Sequence, residues 1–162
     1  NFINRTFTLA EGIDFKGLKI DKEVEKKILG TFGEAEKYLS GGGFGDYLDE
    51  ILELSDFGNK YLSRHEPWKI KNTNPEEFRR VMKNALFLVE ALHIVSAPLL
   101  PETSEKISNM LGVPPITRWP STRAIEHISG ILKKAKAGKT APLFQKIDPA
   151  VAEKERSKLS QS

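Results

Sequence analysis

Apolar residues recur every three or four positions along almost the whole chain, and no stretch alternates apolar and polar residues as a half-buried strand would. The glycine run 41–43, Pro67 and Pro98 interrupt this spacing at points where the backbone turns easily or a helix must stop. A chain of 162 residues is ordinarily one domain that can bury a core without covalent help. The pattern therefore predicts an all-α protein built as a helix bundle.

These interruptions divide the chain into a series of expected helices. Asp21 is expected to cap a helix that extends to the glycine run. Thr73 or Asn74 is expected to precede a second helix, which starts at Pro75 and lies deepest in the bundle. The expected helices cover residues 1–9, 22–40, 44–65, 75–97, 102–111, 123–137 and 150–159, with an extended segment at 141–148. We expect residues 1–112 to form the bundle, and residues 113–162 to form an irregular connection, a basic helix and a C-terminal docking segment of the same domain.

The central helix, residues 44–65, is expected to pack against two neighbours. Its first apolar stripe consists of Phe44, Leu48, Ile51, Leu54, Gly58 and Leu62, and a second is extended by Phe57 and Tyr61. The opposite face is acidic and carries Asp46, Asp49, Glu50 and Glu53. We interpret this face as solvated rather than as a metal site, because no histidine joins the carboxylates.

No constellation of catalytic residues is recognisable in the chain. The absence of cysteine excludes a thiol nucleophile, disulfides and a thiolate zinc site, and it agrees with a reducing compartment. His65, His93 and His127 are scattered, and no serine lies in a nucleophile-elbow pattern. We interpret His93 as a packed or surface residue. The sequence predicts no catalytic residue, no metal site and no cofactor in this chain.

Trp68 is the residue most suggestive of function, because it follows Pro67 where a helical pattern stops. The proline removes a backbone donor and discourages helix at the residue before it, so the chain turns there and presents the ring. The nearby cations are Lys60, Arg64, Lys69 and Lys71. Such a ring can stack on an unpaired base while the cations neutralise phosphates, although a tryptophan at a helix end can equally be a core plug or a hydrophobic cap.

The net charge of +3 is small but unevenly distributed along the chain. Acids outnumber bases over residues 21–56, whereas bases dominate residues 60–83 and a second run between 133 and 146. This separation favours a polyanion as partner, and we expect single-stranded RNA rather than DNA. The longest apolar stretches, 85–89 and 97–100, are far shorter than the roughly 20 residues of a membrane span, so we expect a soluble protein with no membrane partner.

Five segments of the chain occur in a characteristic order and spacing. They are Phe2–Arg5, Asp56–Tyr61, Glu66–Lys69, Ala97–Ser104 and Pro142–Asp148. Together they resemble the anticodon-binding domain of methionyl-tRNA synthetase, a class I aminoacyl-tRNA synthetase. The resemblance implies a helix bundle that follows a Rossmann-type catalytic domain in a cytoplasmic enzyme. It also implies that this enzyme joins methionine to its tRNA with ATP and Mg²⁺, and that the bundle contacts the tRNA anticodon stem-loop and its own catalytic domain.

The same resemblance implies roles for individual residues. Trp68 stacks on an anticodon base, and Pro67 shapes the turn that presents it. Lys146 matches a cation that the family places near the anticodon, while Asn59 and Asp56 belong to the shell around Trp68. The four cations near Trp68 are expected to hold the phosphates of the loop.

The first residues of the chain are expected to lie in the middle of a helix of a longer protein. In the family, an asparagine and an arginine that read base edges belong to the helix before the Phe2–Arg5 segment, so Asn1, Asn4 and Arg5 are not expected to replace them. Two other functions remain open. The chain is either a helical protein-interaction module that docks through Trp68 and the C-terminal segment, or the anticodon domain of another class I synthetase.

Overall fold

The computed structural model describes residues 2–10, 12, 19–117, 119–120, 123–133, 135, 143 and 149–159. In these residues the regular structure is helical throughout, which confirms the expected fold class. The helices are α1 (Phe2–Ala10), α2 (Lys22–Gly41), α3 (Phe44–His65), α4 (Pro67–Ile70), α5 (Pro75–Ser96), α6 (Pro101–Leu111), α7 (Ala124–Leu132) and α8 (Pro149–Leu159).

Helix ends follow the local chemistry of the sequence. Gly42 takes the left-handed conformation (φ 74°, ψ 17°) and its N–H donates to the carbonyl of Tyr38, which ends α2 and lets α3 start shortly afterwards. Asn74 caps α5, because its side chain accepts a hydrogen bond of 3.2 Å from the N–H of Glu77, and Pro75 takes the first helical position. The glycine run thus separates α2 from α3, at a point where the sequence predicts that the backbone turns easily.

Helix α5 lies at the centre of the bundle. It packs against α1, α2, α3, α4, α6 and α7, and nearly every residue from Val81 to Ser96 is buried. This confirms the prediction that the helix starting at Pro75 lies deepest. His93 lies in this core beside Glu90, with 3.2 Å between Nδ1 and a carboxylate oxygen, so it is a packed residue.

The predicted stripe of α3 is wrong at its first two positions. Phe44 is 59% exposed and Leu48 is 36% exposed, whereas Tyr47 is fully buried and donates a hydrogen bond of 2.7 Å to the carbonyl of Val95. The residues that α3 buries are Tyr47, Ile51, Leu54, Gly58, Tyr61 and Leu62. Because the Tyr47 hydroxyl has a buried acceptor, the tyrosine can lie in the core, and the buried face of α3 is shifted by about one residue from the predicted stripe. The spacing of apolar residues does not reveal such a shift.

Three other local predictions need correction. Asp21 precedes α2 but its side chain makes no capping bond, because the carboxylate turns to α3 and α5 instead. Helix α6 begins at Pro101, one residue before the expected start at 102, because a proline at the first helical position has no N–H that needs a partner. The basic helix ends at Leu132 rather than near residue 137.

The C-terminal part is described only in places. Of the predicted extended segment, only Leu143 belongs to the described residues; it packs against the core, and its carbonyl accepts a hydrogen bond of 3.2 Å from Lys106 Nζ. Lys146 lies outside the described residues. The described side chains of α8 are exposed, in agreement with its sparse apolar sequence.

Candidate nucleic-acid interface

The turn between α3 and α4 presents Trp68. Glu66 has φ 42° and ψ 54°, and among the described residues other than glycine it alone has a positive φ. Its N–H donates to the carbonyl of Leu62 at 2.9 Å, which closes α3. Pro67 is buried at the first position of α4, and the next side chain, Trp68, is 41% exposed. A left-handed conformation costs a residue with a side chain on the order of 1 kcal/mol, so the surrounding packing must hold this turn in place.

A polar cluster fixes the C-terminal end of α3 next to this turn. Asp21 accepts a hydrogen bond of 3.1 Å from the Tyr61 hydroxyl and also pairs with Arg80, while its N–H donates to Asn84 at 2.8 Å. Arg80 Nε donates to Glu77 at 2.8 Å. The start of α2 is therefore tied to both α3 and α5.

The charges of this cluster reinforce one another. Burial, together with the neighbouring Asp21 carboxylate, raises the pKa of Tyr61, so its hydroxyl remains a donor. The hydrogen bond with Glu77, assisted by Asp21, raises the pKa of Arg80, and the same bond from Arg80 lowers the pKa of Glu77. Each group is thereby held in the protonation state that its partner requires.

The cations predicted to hold phosphates are largely engaged with carboxylates. The ion pairs are Lys60–Asp56 at 2.6 Å, Lys69–Glu66 at 2.7 Å and Arg64–Glu23, while Lys71 Nζ lies 5.9 Å from the centre of the Phe78 ring. The hydrogen bond with Asp56 raises the pKa of Lys60. Exposed pairs of this kind contribute little to stability, so their cations can exchange a carboxylate for a phosphate at small cost.

The two polar residues predicted to surround Trp68 have partners within α3. Asn59 is half-buried and its amide donates to the carbonyl of Ser55 at 3.1 Å, and Asp56 is the exposed partner of Lys60. Their assignment to an anticodon site stays a prediction. Pro67 is the first residue of α4, directly before Trp68, and its role in an anticodon site also stays a prediction.

Arg5 is the neighbour of Trp68 that the sequence did not identify. Its guanidinium carbon lies 4.6 Å from the centre of the Trp68 ring, which is a cation–π distance. Helix α1 reaches this position because the Phe2 ring packs directly on Gly58 of α3. A glycine among the buried positions of a helix indicates such a close approach, but not which element makes it.

Neither a metal-binding cluster nor a membrane-spanning helix is found among the described residues. They contain no group of three or more His, Cys, Asp or Glu that could hold a metal ion. None of the helices in the described part is both long enough and apolar enough to cross a membrane.

Comparison with solved structures shows the class of fold. The apo form of the methionyl-tRNA synthetase of Mycobacterium tuberculosis matches with a TM-score of 0.68 over 92% of this chain and 32% of that protein, at 18% sequence identity. The structure of the same synthetase bound by methionyl-adenylate matches with a TM-score of 0.65. The bundle is therefore of the kind found in the helical part of that synthetase.

Sequence comparison defines the family. A family model described as the anticodon binding domain of methionyl tRNA ligase matches residues 48–161. The methionine–tRNA ligase of Methanocella arvoryzae is 39% identical over 72% of this chain, and that of Chloroherpeton thalassium is 31% identical over 99% of it. The chain belongs to the family of anticodon-binding domains of methionyl-tRNA ligases. It covers 17% and 24%, respectively, of the length of these two relatives.

Proposed function

We propose that this domain binds the anticodon loop of methionine tRNA and that Trp68 stacks on one of its unpaired bases. The observation that carries the proposal is the exposed ring of Trp68, 41% accessible, directly after a turn that the left-handed Glu66 and the buried Pro67 hold in place. An aromatic ring that folding leaves exposed at a defined turn is suited to base stacking. Lys60, Lys69 and the other nearby cations hold the loop phosphates.

The whole protein, in this proposal, is a methionine–tRNA ligase of the cytoplasm. Its relatives bear that name, and this chain covers only part of their length. The activation of methionine with ATP and Mg²⁺ is assigned to a catalytic domain, and the bundle supplies the binding energy and orientation of the tRNA. Asn59, Asp56 and Lys146 are assigned to the surroundings of the bound anticodon.

The proposal is tested by replacing Trp68 with alanine in the full-length protein. Base stacking on an aromatic side chain contributes about 1–3 kcal/mol per base, so W68A should weaken binding of the methionine anticodon stem-loop by about 5- to 150-fold. Binding is measured by titrating a labelled stem-loop. W119F is the matched control, because Trp119 packs on the Phe32 ring at 5.5 Å between centroids and belongs to a different part of the bundle. A normally folded W68A protein that binds the stem-loop as tightly as W119F would show that the ring does not stack on RNA.

A second candidate function is docking of another protein. Apolar side chains are exposed along one side of α3, at Phe44, Leu48 and Leu52, and at Val151 on α8. A stem-loop titration at rising salt separates the two functions, because counterion release makes RNA affinity fall steeply with salt. No measurable binding of the stem-loop even at low salt would favour protein docking.

A further inference from the structure

Lys83 on α5 is a half-buried lysine without a counter-ion. Among the described lysines, only Lys27 and Lys83 are half-buried. Lys27 Nζ lies 3.2 Å from a carboxylate oxygen of Glu53, whereas none of the described residues forms an ion pair with Lys83. A partly desolvated ammonium group without an opposite charge is unfavourable, so the surroundings of Lys83 need an explanation.

The neighbours of Lys83 are an aromatic ring and a second cation. Its Nζ lies 5.8 Å from the centre of the Phe87 ring, which is a cation–π distance. Helix α7 packs against α5 and is followed directly by Lys133, which is exposed. Burial, and after it the positive charge of Lys133, lowers the pKa of Lys83. Two cations from different helices therefore repel each other here, and an anion bound between them would remove the repulsion.

We propose that Lys83 and Lys133 form a phosphate subsite for an RNA backbone. The ligand is a phosphate of the tRNA anticodon arm, outside the nucleotides that reach Trp68, so the inference rests on the proposed function and extends its binding surface. A phosphate oxygen accepts charge-assisted hydrogen bonds from ammonium groups. Such a contact positions the arm on the protein without reading its sequence.

The place of Lys83 along α5 suits an RNA whose loop lies at Trp68. Helix α4, which carries Trp68, packs against α5 and is joined to its start by residues 71–74. Lys83 follows Pro75, the first residue of α5, by two helical turns, about 12 Å along the axis. Arg79 is exposed one turn before Lys83 on the same side of the helix. Positive charge thus continues from the region of Trp68 to the subsite.

The subsite differs electrostatically from the surface around Trp68. The paired cations near Trp68 must give up a carboxylate before they can bind a phosphate. No carboxylate of the described residues has to be replaced at Lys83 and Lys133. The adjoining sequence adds positive charge, since residues 133–147 contain five lysines and no acid. A phosphate contact therefore gains more here than at a cation that is already paired.

The test measures the affinity of the full-length protein for a labelled methionine anticodon stem-loop between about 50 and 200 mM salt. K83Q/K133Q should bind more weakly than the wild type, most of all at low salt, and its slope of log affinity against log salt should be shallower by about one. The rise in salt then costs the variant about four-fold less affinity than it costs the wild type. K26Q/K27Q is the matched control, because it removes one exposed and one half-buried lysine of α2, and it should keep the wild-type slope.

Two further comparisons identify a phosphate contact. The loss in K83Q/K133Q should add to the loss in W68A, because the two sites are separate. It should also be the same for a stem-loop with one stem base pair reversed, because a phosphate contact does not read sequence. Weaker binding by K83Q/K133Q with the wild-type slope would show a structural effect and would overturn the subsite.

The subsite and the proposed function can fail separately. A normally folded K83Q/K133Q protein with wild-type affinity and slope, while W68A binds weakly, refutes the subsite alone; this is the result expected if the two lysines pair with carboxylates elsewhere in the full-length protein. A shallower slope in K83Q/K133Q together with wild-type binding by W68A supports the subsite and refutes stacking. No binding of the stem-loop by the wild type even at low salt refutes both.

The arrangement of the two lysines has a readout that needs no RNA. The ¹³Cε resonance of Lys83, assigned from K83R, reports the pKa of this lysine, which should rise in K133Q and stay in place in K26Q/K27Q. An unchanged pKa in K133Q would show that the two cations are not close, and the inference would be wrong. The stem-loop should shift this resonance, whereas equimolar inorganic phosphate should not. An equal shift with inorganic phosphate would make this a site for a free anion and overturn its assignment to RNA.

Discussion

Replacement of Gly58 by alanine should separate α1 from α3. A Cβ atom built on Gly58 would lie 2.7–2.8 Å from three atoms of the Phe2 ring, closer than real Cβ atoms approach other heavy atoms. The ring is fully buried, so it cannot swing into solvent to make room. Helix α1 must therefore shift, and Arg5 must move with it away from Trp68.

The magnitude is a balance of two effects. An extra methyl group forced into a well-packed core costs about 1–3 kcal/mol, whereas alanine in a helix interior is favoured over glycine by about 0.5–1 kcal/mol. The midpoints of these two ranges leave a net loss for G58A of about 1 kcal/mol in the free energy of unfolding. For a domain of this size, that loss lowers the melting temperature by about 2–4 °C.

The assay is chemical denaturation followed by circular dichroism, with G33A as control. Gly33 lies exposed in the middle of α2 and a Cβ there would meet nothing within 4 Å, so G33A should gain about 0.5–1 kcal/mol from helix propensity alone. F2L/G58A should lose less stability than the sum of F2L and G58A, because the smaller side chain relieves the contact. If G58A is as stable as G33A, then the contact with Phe2 does not fix α1, and the placement of Arg5 has lost its structural basis.

Two further predictions concern pH. Because the pKa of Tyr61 is raised, its neutral hydroxyl stabilises the fold fully below pH 10, and this contribution is lost as the pH rises towards the folded-state pKa. In urea denaturation, Y61F should be less stable than the wild type by about 0.5–1.5 kcal/mol at pH 7. Above pH 10, Y61F should lose less additional stability than the wild type. Because the pKa of Glu77 is lowered, its charged form stabilises the fold above pH 4.5, and this contribution is lost as the pH falls through the folded-state pKa. E77Q should therefore be less stable than the wild type at pH 7 in the same denaturation experiment. A stability difference that grows rather than shrinks below pH 4 would contradict this assignment.

Helix positions were predictable from the sequence because local chemistry determines them. The stops at Gly42 and Pro67 and the start at Pro75 follow from backbone restrictions that act within a few residues. The depth of α5 follows from the apolar residues of its stretch 85–95, which point to most sides of the helix, since such a stretch must be surrounded by other helices. Predictions of this kind succeed because they do not depend on which helix lies next to which.

Contacts between helices could not be predicted in the same way. The carbonyl of Val95 on α5 accepts the hydroxyl of the buried Tyr47, and the Asp21 carboxylate pairs with Tyr61 and Arg80 instead of capping α2. The position of Arg5 over Trp68 likewise depends on the packing of α1 against α3. Each of these contacts joins residues at least 40 positions apart, a separation at which helical spacing carries no information.

The ion pairs around Trp68 bear on what provides affinity at this surface. Lys60, Lys69 and Arg64 each face a carboxylate in the free protein, so their field at an approaching phosphate is partly cancelled by Asp56, Glu66 and Glu23. Every phosphate contact made by these cations replaces an existing ion pair, and the electrostatic gain is the difference between two similar interactions. A base that approaches the Trp68 ring, which is 41% exposed, meets an aromatic surface and does not have to replace a carboxylate. Under the proposed function, the aromatic ring therefore supplies the larger share of affinity on this part of the surface, and the cations chiefly guide the loop towards it.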